Sequence, residues 1–314
     1  GRWLLLNAGI VTLLIGIPLV RSPLIVAGGV MVMLAAVWLG ADIYRDARSD
    51  RTEPCGRPFY LLALAFLVVG ALVGTGLWIG WGPLLRIATP KEAHIHANLW
   101  GFASLALAGL LVDLLPALTG RTARWPAAAP IARWLMLAGA LLLLVAPWVG
   151  ATLPMLVGIA LYAAGAVLIF VVFVMPLRRL GGPGAALLLT AYLWILVPAT
   201  ALPVLLLGTS TLPTTRVEAV GPSILAYGWL LQALFALLPP AFALAEHRDR
   251  GALTLGGTWW SWIALNACTL MLVASVPLER WEAPMQATAL VLLALALAPF
   301  VRSMLDLEPT PEGP

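Results

Sequence analysis

The chain has 314 residues, of which 62% are hydrophobic and only 10% charged, and its mean hydropathy is +0.99. So little charge cannot cover a water-soluble domain of this length, so the composition predicts an all-α polytopic membrane protein, one integral membrane domain over residues 1–314. The net charge of +4 comes from arginines scattered among short loops, which argues against a basic nucleic-acid surface, and Cys55 and Cys268 form neither a disulfide framework nor a CxxC motif.

A spanning helix needs roughly 20 mostly apolar residues. That ruler predicts about ten transmembrane helices, near residues 3–20, 24–43, 59–82, 94–117, 134–150, 152–176, 185–207, 224–246, 258–277 and 285–303. The chain opens on Gly1 rather than Met, as expected of a processed or incomplete N-terminus, and no cleavable signal is evident because the first apolar run leads straight into a second. The fourth helix opens on His94 and His96, and only Val149 to Thr152 separate the fifth from the sixth. Pro198, Pro203, Pro239 and Pro240 fall inside helices seven and eight, where neighbours must satisfy the freed carbonyls. Trp259, Trp260 and Trp262 open the ninth helix and read as an interfacial belt.

Basic residues set the orientation. With the N-terminus inside, Arg21, Arg86, Lys91, Arg216 and Arg280 face outward and the other thirteen of the eighteen lie on the cytoplasmic side. An even helix count returns the C-terminus inside, as expected for an inner (cytoplasmic) membrane protein. His94 and His96 then lie at the outer end of the fourth helix.

Two stretches repeat. WLLLNAGIVTLLIGIPLVR, from Trp3 to Arg21, shares eight of nineteen positions with WIALNACTLMLVASVPLER, from Trp262 to Arg280. Leu99-Trp100-Gly101-Phe102 likewise resembles Ala226-Tyr227-Gly228-Trp229. Both spacings give a pseudo-repeat with a period of four helices. Repeated bundles commonly hold ligands at the repeat interface.

The chemistry-bearing residues are few. Imidazole is a common ligand of haem iron and copper, and two of the three histidines are His94 and His96. Successive helical residues turn by about 100°, so the two face nearly opposite ways and share one iron only if the helix unwinds. His94 shares its face with Ala97, Gly101, Ser104 and Ala108, a small-residue stripe that admits a flat cofactor or a close helix; His96 lies with Trp100, Ala103 and Leu107. Met155 and Met285 stand at outer helix ends, where a thioether can complete haem or copper ligation, and Arg86, Arg216 and Arg280 can pair haem propionates. Asp113 is the acid well inside a helix; it suits a proton-entry or quinone site, or pairing with a loop arginine such as Arg121. Asn7, Gln232 and Asn266 read as interhelical hydrogen-bonding residues, and His247 as a solvated loop residue.

His94-Ile95-His96 with Leu99, Gly101 and Phe102, followed by Ala108-Gly109 and then Pro116, Thr119, Gly120 and Arg121, resembles the HxHxxLxGF segment of the NnrS family of haem- and copper-containing membrane proteins. Leu85-Arg86 ahead of His96-Ala97-Asn98 resembles the second helix of haem–copper oxidase catalytic subunits, most nearly the cbb3 type, whose histidine binds low-spin haem b. The resemblance covers about thirty residues and implies a haem b ligand at His96 or His94, with copper as a second metal. It also implies a role in electron transfer or in handling a diatomic gas or copper, alongside other membrane subunits or a periplasmic electron-transfer protein. The chain departs from the oxidases, which use six histidines at their metals where this sequence has three, and Ser223 stands where the second repeat would carry its counterpart of His96. Two other readings follow from the same residues: a cofactor-free anchor or quinone-binding subunit of a respiratory complex, and a small-solute transporter. No phosphate-binding glycine loop, zincin motif or nucleophile elbow is present, so no catalytic residue is assigned.

Overall fold

The computed structural model describes residues 1–49, 55–81, 86–120, 124–208, 214–245 and 253–305, and among these every regular element is helical. Helix α1 is Arg2–Gly16, α2 Ser22–Ser49 and α3 Arg57–Trp78. Helix α4 is the continuous run Pro90–Thr119, α5 is Ala128–Val149, and α6 begins at Thr152 and runs to Leu180. Helix α7 is Gly182–Leu206; α8 joins Thr214–Ile224, Leu225–Leu231 and Gln232–Ala245; α9 is Trp259–Ser275 and α10 Glu282–Leu305. Among the described residues, seven segments are long and apolar enough to cross a membrane: Ser22–Asp46, Arg57–Trp78, Pro90–Thr119, Ala128–Val149, Thr152–Leu180, Thr215–Ala245 and Glu279–Pro299. Arg2–Gly16, Gly182–Leu196 and Trp259–Ser275 are shorter apolar helices.

The contacts group the chain into two compact units, Gly1–Asp113 with Thr122–Val172, and Leu114–Arg121 with Phe173–Pro314. In the first unit, glycines let antiparallel neighbours approach to backbone distance. A Cβ on Gly9 would lie 3.0 Å from the Gly28 carbonyl, and one on Gly139 would lie 2.7 Å from that of Gly158, so α1 packs on α2 and α5 on α6 without side chains between them. Helices α3 and α4 pair in the same way. Gly74 faces His94, Gly70 faces Asn98, Phe66 covers Gly101, Phe59 covers Gly109, and Gly56 meets Asp113. This line of contacts positions the histidines.

Neither α4 nor α8 is α-helical throughout. Ala97–Ala103 and Leu225–Leu231 are wound as π-helix, a wider turn that is rare and often marks a functional position. Periodicity alone did not reveal either segment, since one residue per turn hardly disturbs an apolar pattern.

Prolines explain much of the remaining geometry. A helical proline has no N–H for the carbonyl four residues earlier, and a buried carbonyl left unpaired costs about 1–3 kcal/mol. Pro240 frees the Ala236 carbonyl, which accepts the Gly256 backbone N–H at 2.9 Å. Pro299 frees the Leu295 carbonyl, which accepts the Trp260 indole N–H at 3.1 Å. Pro147 frees the Leu143 carbonyl, and its donor is a histidine.

In the second unit, a polar network ties three helices. The Thr190 hydroxyl and the Trp194 indole of α7 meet Gln232 of α8 and Asn266 of α9: Thr190 donates to Gln232 Oε1 (2.6 Å) and Trp194 to Asn266 Oδ1 (2.8 Å). The two amides exchange hydrogen bonds of 3.4 and 3.3 Å, and the Trp262 indole donates to Thr190 (3.2 Å). Gln232 and Asn266 therefore act as the interhelical residues expected. Asn7 does not, because its amide turns back to the Trp3 carbonyl of its own helix (2.8 Å). Trp262 also departs from the belt, since its indole points into the network while Trp259 and Trp260 stay exposed.

Candidate functional site

Helix α4 starts four residues earlier than its apolar pattern predicts, at Pro90, whose fixed φ suits a first helical turn. His94 and His96 are therefore inside the helix rather than at its cap. The chain reaches that start through a turn at Arg86, which holds a positive φ of 51°, and the next residues clamp onto the end of α5. The Ala88 N–H donates to the Trp148 carbonyl (3.1 Å), the Thr89 N–H to the Pro147 carbonyl (2.9 Å) and the Thr89 hydroxyl to that same carbonyl (3.1 Å). These donors satisfy carbonyls that the end of a helix leaves without partners.

The two imidazoles point to opposite neighbours, as a turn of about 100° per residue requires. His94 Nδ1 lies 2.7 Å from the Gly70 carbonyl of α3, and His96 Nδ1 lies 2.6 Å from the Leu143 carbonyl of α5. A carbonyl only accepts, so each Nδ1 carries the proton. In a neutral ring so held, Nε2 is the nitrogen with the lone pair, the tautomer a metal ligand needs, and a backbone carbonyl commonly orients ligating histidines in this way. The two residues otherwise differ. Gly70 belongs to an intact helix, where the Gly74 N–H also serves its carbonyl, whereas Leu143 has no other helical donor because residue 147 is proline.

The small-residue stripe beside His94 is filled by a helix, which decides between the two occupants the sequence allows. A Cβ on Gly74 would lie 2.5 Å from both Cε1 and Nδ1 of His94, and one on Gly70 would lie 2.5 Å from the Asn98 amide nitrogen. No flat macrocycle fits between this face of α4 and α3. Asn98 completes the seal by donating to the His94 carbonyl at 2.8 Å. One helical turn further on, Trp100 packs edge-on against Tyr162 of α6 (centroids 4.7 Å apart), and Ser104 is hydrogen-bonded to the Tyr162 hydroxyl.

Among the described residues, no three His, Cys, Asp or Glu side chains gather as a metal-binding group. A bare copper or zinc ion would need such a group, whereas haem brings four nitrogens of its own and asks the protein for an axial ligand. The donor at His96 is a single imidazole oriented by the Leu143 carbonyl. Met155 lies in the first turn of α6 and Met285 in the first turn of α10, both half-buried.

The arginines expected at propionates are engaged differently or lie open. Arg216 donates to Glu282 (2.5 Å) and to the Val276 carbonyl (3.1 Å), with Glu279 3.9 Å away, so its charge is already matched at the α9–α10 turn. Arg280 is exposed with its guanidinium 6.0 Å from the Trp281 ring centre, and Arg86 is exposed.

Asp113 is half-buried and accepts the Gly56 N–H (2.7 Å) and the Tyr60 hydroxyl (3.1 Å), holding the start of α3 against α4. Arg121, the partner the sequence suggested, lies outside the described residues, as do Leu85 and His247. Neither Tyr60 nor Leu143 stands out in so apolar a sequence. Pro147 was the available signal for Leu143, because it marks a carbonyl needing a donor. No family model, curated protein or solved structure matches the chain.

Proposed function

We propose that this membrane protein binds haem b through His96 and serves electron transfer, or the handling of a diatomic gas or copper, as a reduced relative of the NnrS and haem–copper oxidase type. The observation that carries this reading is the His96–Leu143 hydrogen bond, which fixes Nδ1 as the donor and leaves Nε2 as the ligating atom. His96 would hold the iron. His94, enclosed by α3, orients the helix. Bound haem would supply a one-electron couple whose potential the axial imidazole and the surrounding apolar helices tune.

A four-helix pseudo-repeat across ten spanning helices belongs to the same proposal. It is supported by matching local geometry in the two units: Phe66 lies over Gly101 in one and Trp194 over Gly228 in the other, each glycine within a π-helical segment. Asn7 bonds the Trp3 carbonyl as Asn266 bonds that of Trp262, both at 2.8 Å. Ser223 in place of a second histidine leaves one ligating repeat. We assign the protein to the inner membrane with both termini cytoplasmic, on the basic-residue balance, and infer that it works beside other membrane subunits or a periplasmic electron carrier.

A second reading has an observation of its own. Pro147 strips Leu143 of its donor, and His96 fills that vacancy whether or not a metal is present. On that reading the protein is a cofactor-free membrane subunit. Counting iron and copper per chain by mass spectrometry separates the two. Haem binding predicts about one iron per chain, lost in His96→Ala and kept in His94→Ala; metal-free protein would establish the scaffold instead.

A further inference from the structure

Helix α10 carries the least buried of the seven membrane-spanning segments. Its one substantial helical neighbour among the described residues is α9, and 11% of its most apolar stretch is buried, against 33% for α2. The α9–α10 hairpin is nevertheless built like α1–α2. Asn7 and Asn266 make the same bond within their own helices. Gly9 packs against Gly28 in one hairpin, and Cys268 shares a buried cluster with Ala289 in the other. Aligning α2 on α10 through Gly28 and Ala289 also matches Pro23 with Pro284.

On α2, residues Ser22, Val26, Gly29, Met33, Ala36 and Gly40 follow at alternating steps of four and three, the spacing of a seam between two helices. That seam faces α3: Gly29 meets Thr75, a Cβ on Gly40 would lie 3.7 Å from Leu64, and none of the six residues is exposed. The matching positions of α10 are Ala283, Ala287, Leu290, Ala294, Leu297 and Val301. All but Leu297 are exposed, Leu290 at 59% and Val301 at 51%. The face that a helix covers on α2 is therefore open on α10, and it carries no charged residue. Lipid gains little from alanines kept in register along a seam, whereas small residues let two membrane helices approach closely.

Symmetry identifies the occupant. Every copy of a membrane protein inserts in one orientation, so two copies meet about a two-fold axis along the membrane normal with like faces opposed. Two α10 helices then run parallel and each seam position meets itself, Ala287 on Ala287, Leu290 on Leu290 and Ala294 on Ala294. The four-and-three spacing serves such a parallel pair as it serves the antiparallel pair of α2 and α3. We propose that the chain forms a homodimer in the membrane through this face of α10. The comparison of the two hairpins rests on the pseudo-repeat proposed above, and the haem reading does not enter it.

The test is disulfide cross-linking of the full chain in lipid vesicles, in a Cys55→Ser, Cys268→Ala background. Ala287→Cys, Leu290→Cys and Ala294→Cys should give covalent dimers on oxidation with copper phenanthroline. Thr288→Cys and Leu295→Cys, exposed but off the seam, should not. The double variant Ala287→Leu, Ala294→Leu overpacks two layers of the interface on a surface that is open in the single chain, so its fold is spared. It should weaken dimerisation roughly tenfold or more, read by light scattering in mild detergent. A monomer in both lipid and detergent would overturn the proposal and leave this face to lipid or to another protein's helix. Cross-links as strong at Thr288 and Leu295 would mean random collision, and a dimer indifferent to the leucine pair would lie on another face; either result overturns it. Failure of the dimer leaves the pseudo-repeat standing, because that is carried by residues inside each hairpin. A haem-loaded monomer or a metal-free dimer would likewise contradict one proposal and spare the other.

Discussion

His96 donates its Nδ1–H to the Leu143 carbonyl at 2.6 Å, across forty-seven residues of sequence and onto the one α5 carbonyl that Pro147 deprives of its helical donor. A proline in one helix and a histidine in the next are thus halves of a single interaction. That arrangement fixes the imidazole's tautomer as a by-product of repairing a helix.

A double-mutant cycle tests the coupling. His96→Ala alone leaves a buried carbonyl unpaired and should cost about 1–3 kcal/mol of unfolding free energy. In a Pro147→Ala background the alanine N–H serves Leu143, so the same histidine substitution should cost little. Thermal or denaturant unfolding in detergent reads both, and additive costs would refute the coupling.

His94 should behave differently. Its acceptor, Gly70, keeps the helical N–H of Gly74, so His94→Ala should destabilise less than His96→Ala. Conversely, Gly74→Ala drives a methyl group into the imidazole and should cost about 1–3 kcal/mol through overpacking. The pair His94→Ala with Gly74→Ala should recover most of that loss. If Gly74→Ala is neutral by itself, the ring does not occupy this space.

In the second unit, Gln232 and Asn266 should be coupled by about 0.6 kcal/mol, and by no more than about 2, the range found for polar pairs between membrane helices. Gln232→Leu and Asn266→Leu, singly and together, give the value by equilibrium unfolding. Strict additivity would mean that the amides do not share a network.

Arg216 should be silent in any cofactor spectrum. Its guanidinium is matched by Glu282 and capped by the Val276 carbonyl, so Arg216→Gln should lower stability without moving an optical band. A shift in band position or potential would place it at a propionate.

How much of this was legible beforehand follows the physics of each signal. Composition alone identifies a helical membrane protein, and the turn of about 100° per residue already separates His94 from His96. The acceptors of those rings were not legible, because Gly70 and Leu143 lie twenty-four and forty-seven residues away and contribute only backbone. The small-residue stripe is visible in the sequence but suits two occupants equally well, and only the facing glycines of α3 choose the helix. Gln232 and Asn266 were recognisable because amides are rare in apolar helices. Thr190 and Trp262, ordinary in such a background, were not.

The most direct test of the haem assignment is an optical spectrum of the purified protein, oxidised and dithionite-reduced, beside His96→Ala and His94→Ala. A sharp reduced α-band that vanishes in His96→Ala and persists in His94→Ala is the predicted result. A featureless spectrum in the wild type, or a band indifferent to His96, would contradict it and leave His96 as the donor that repairs a proline-broken helix.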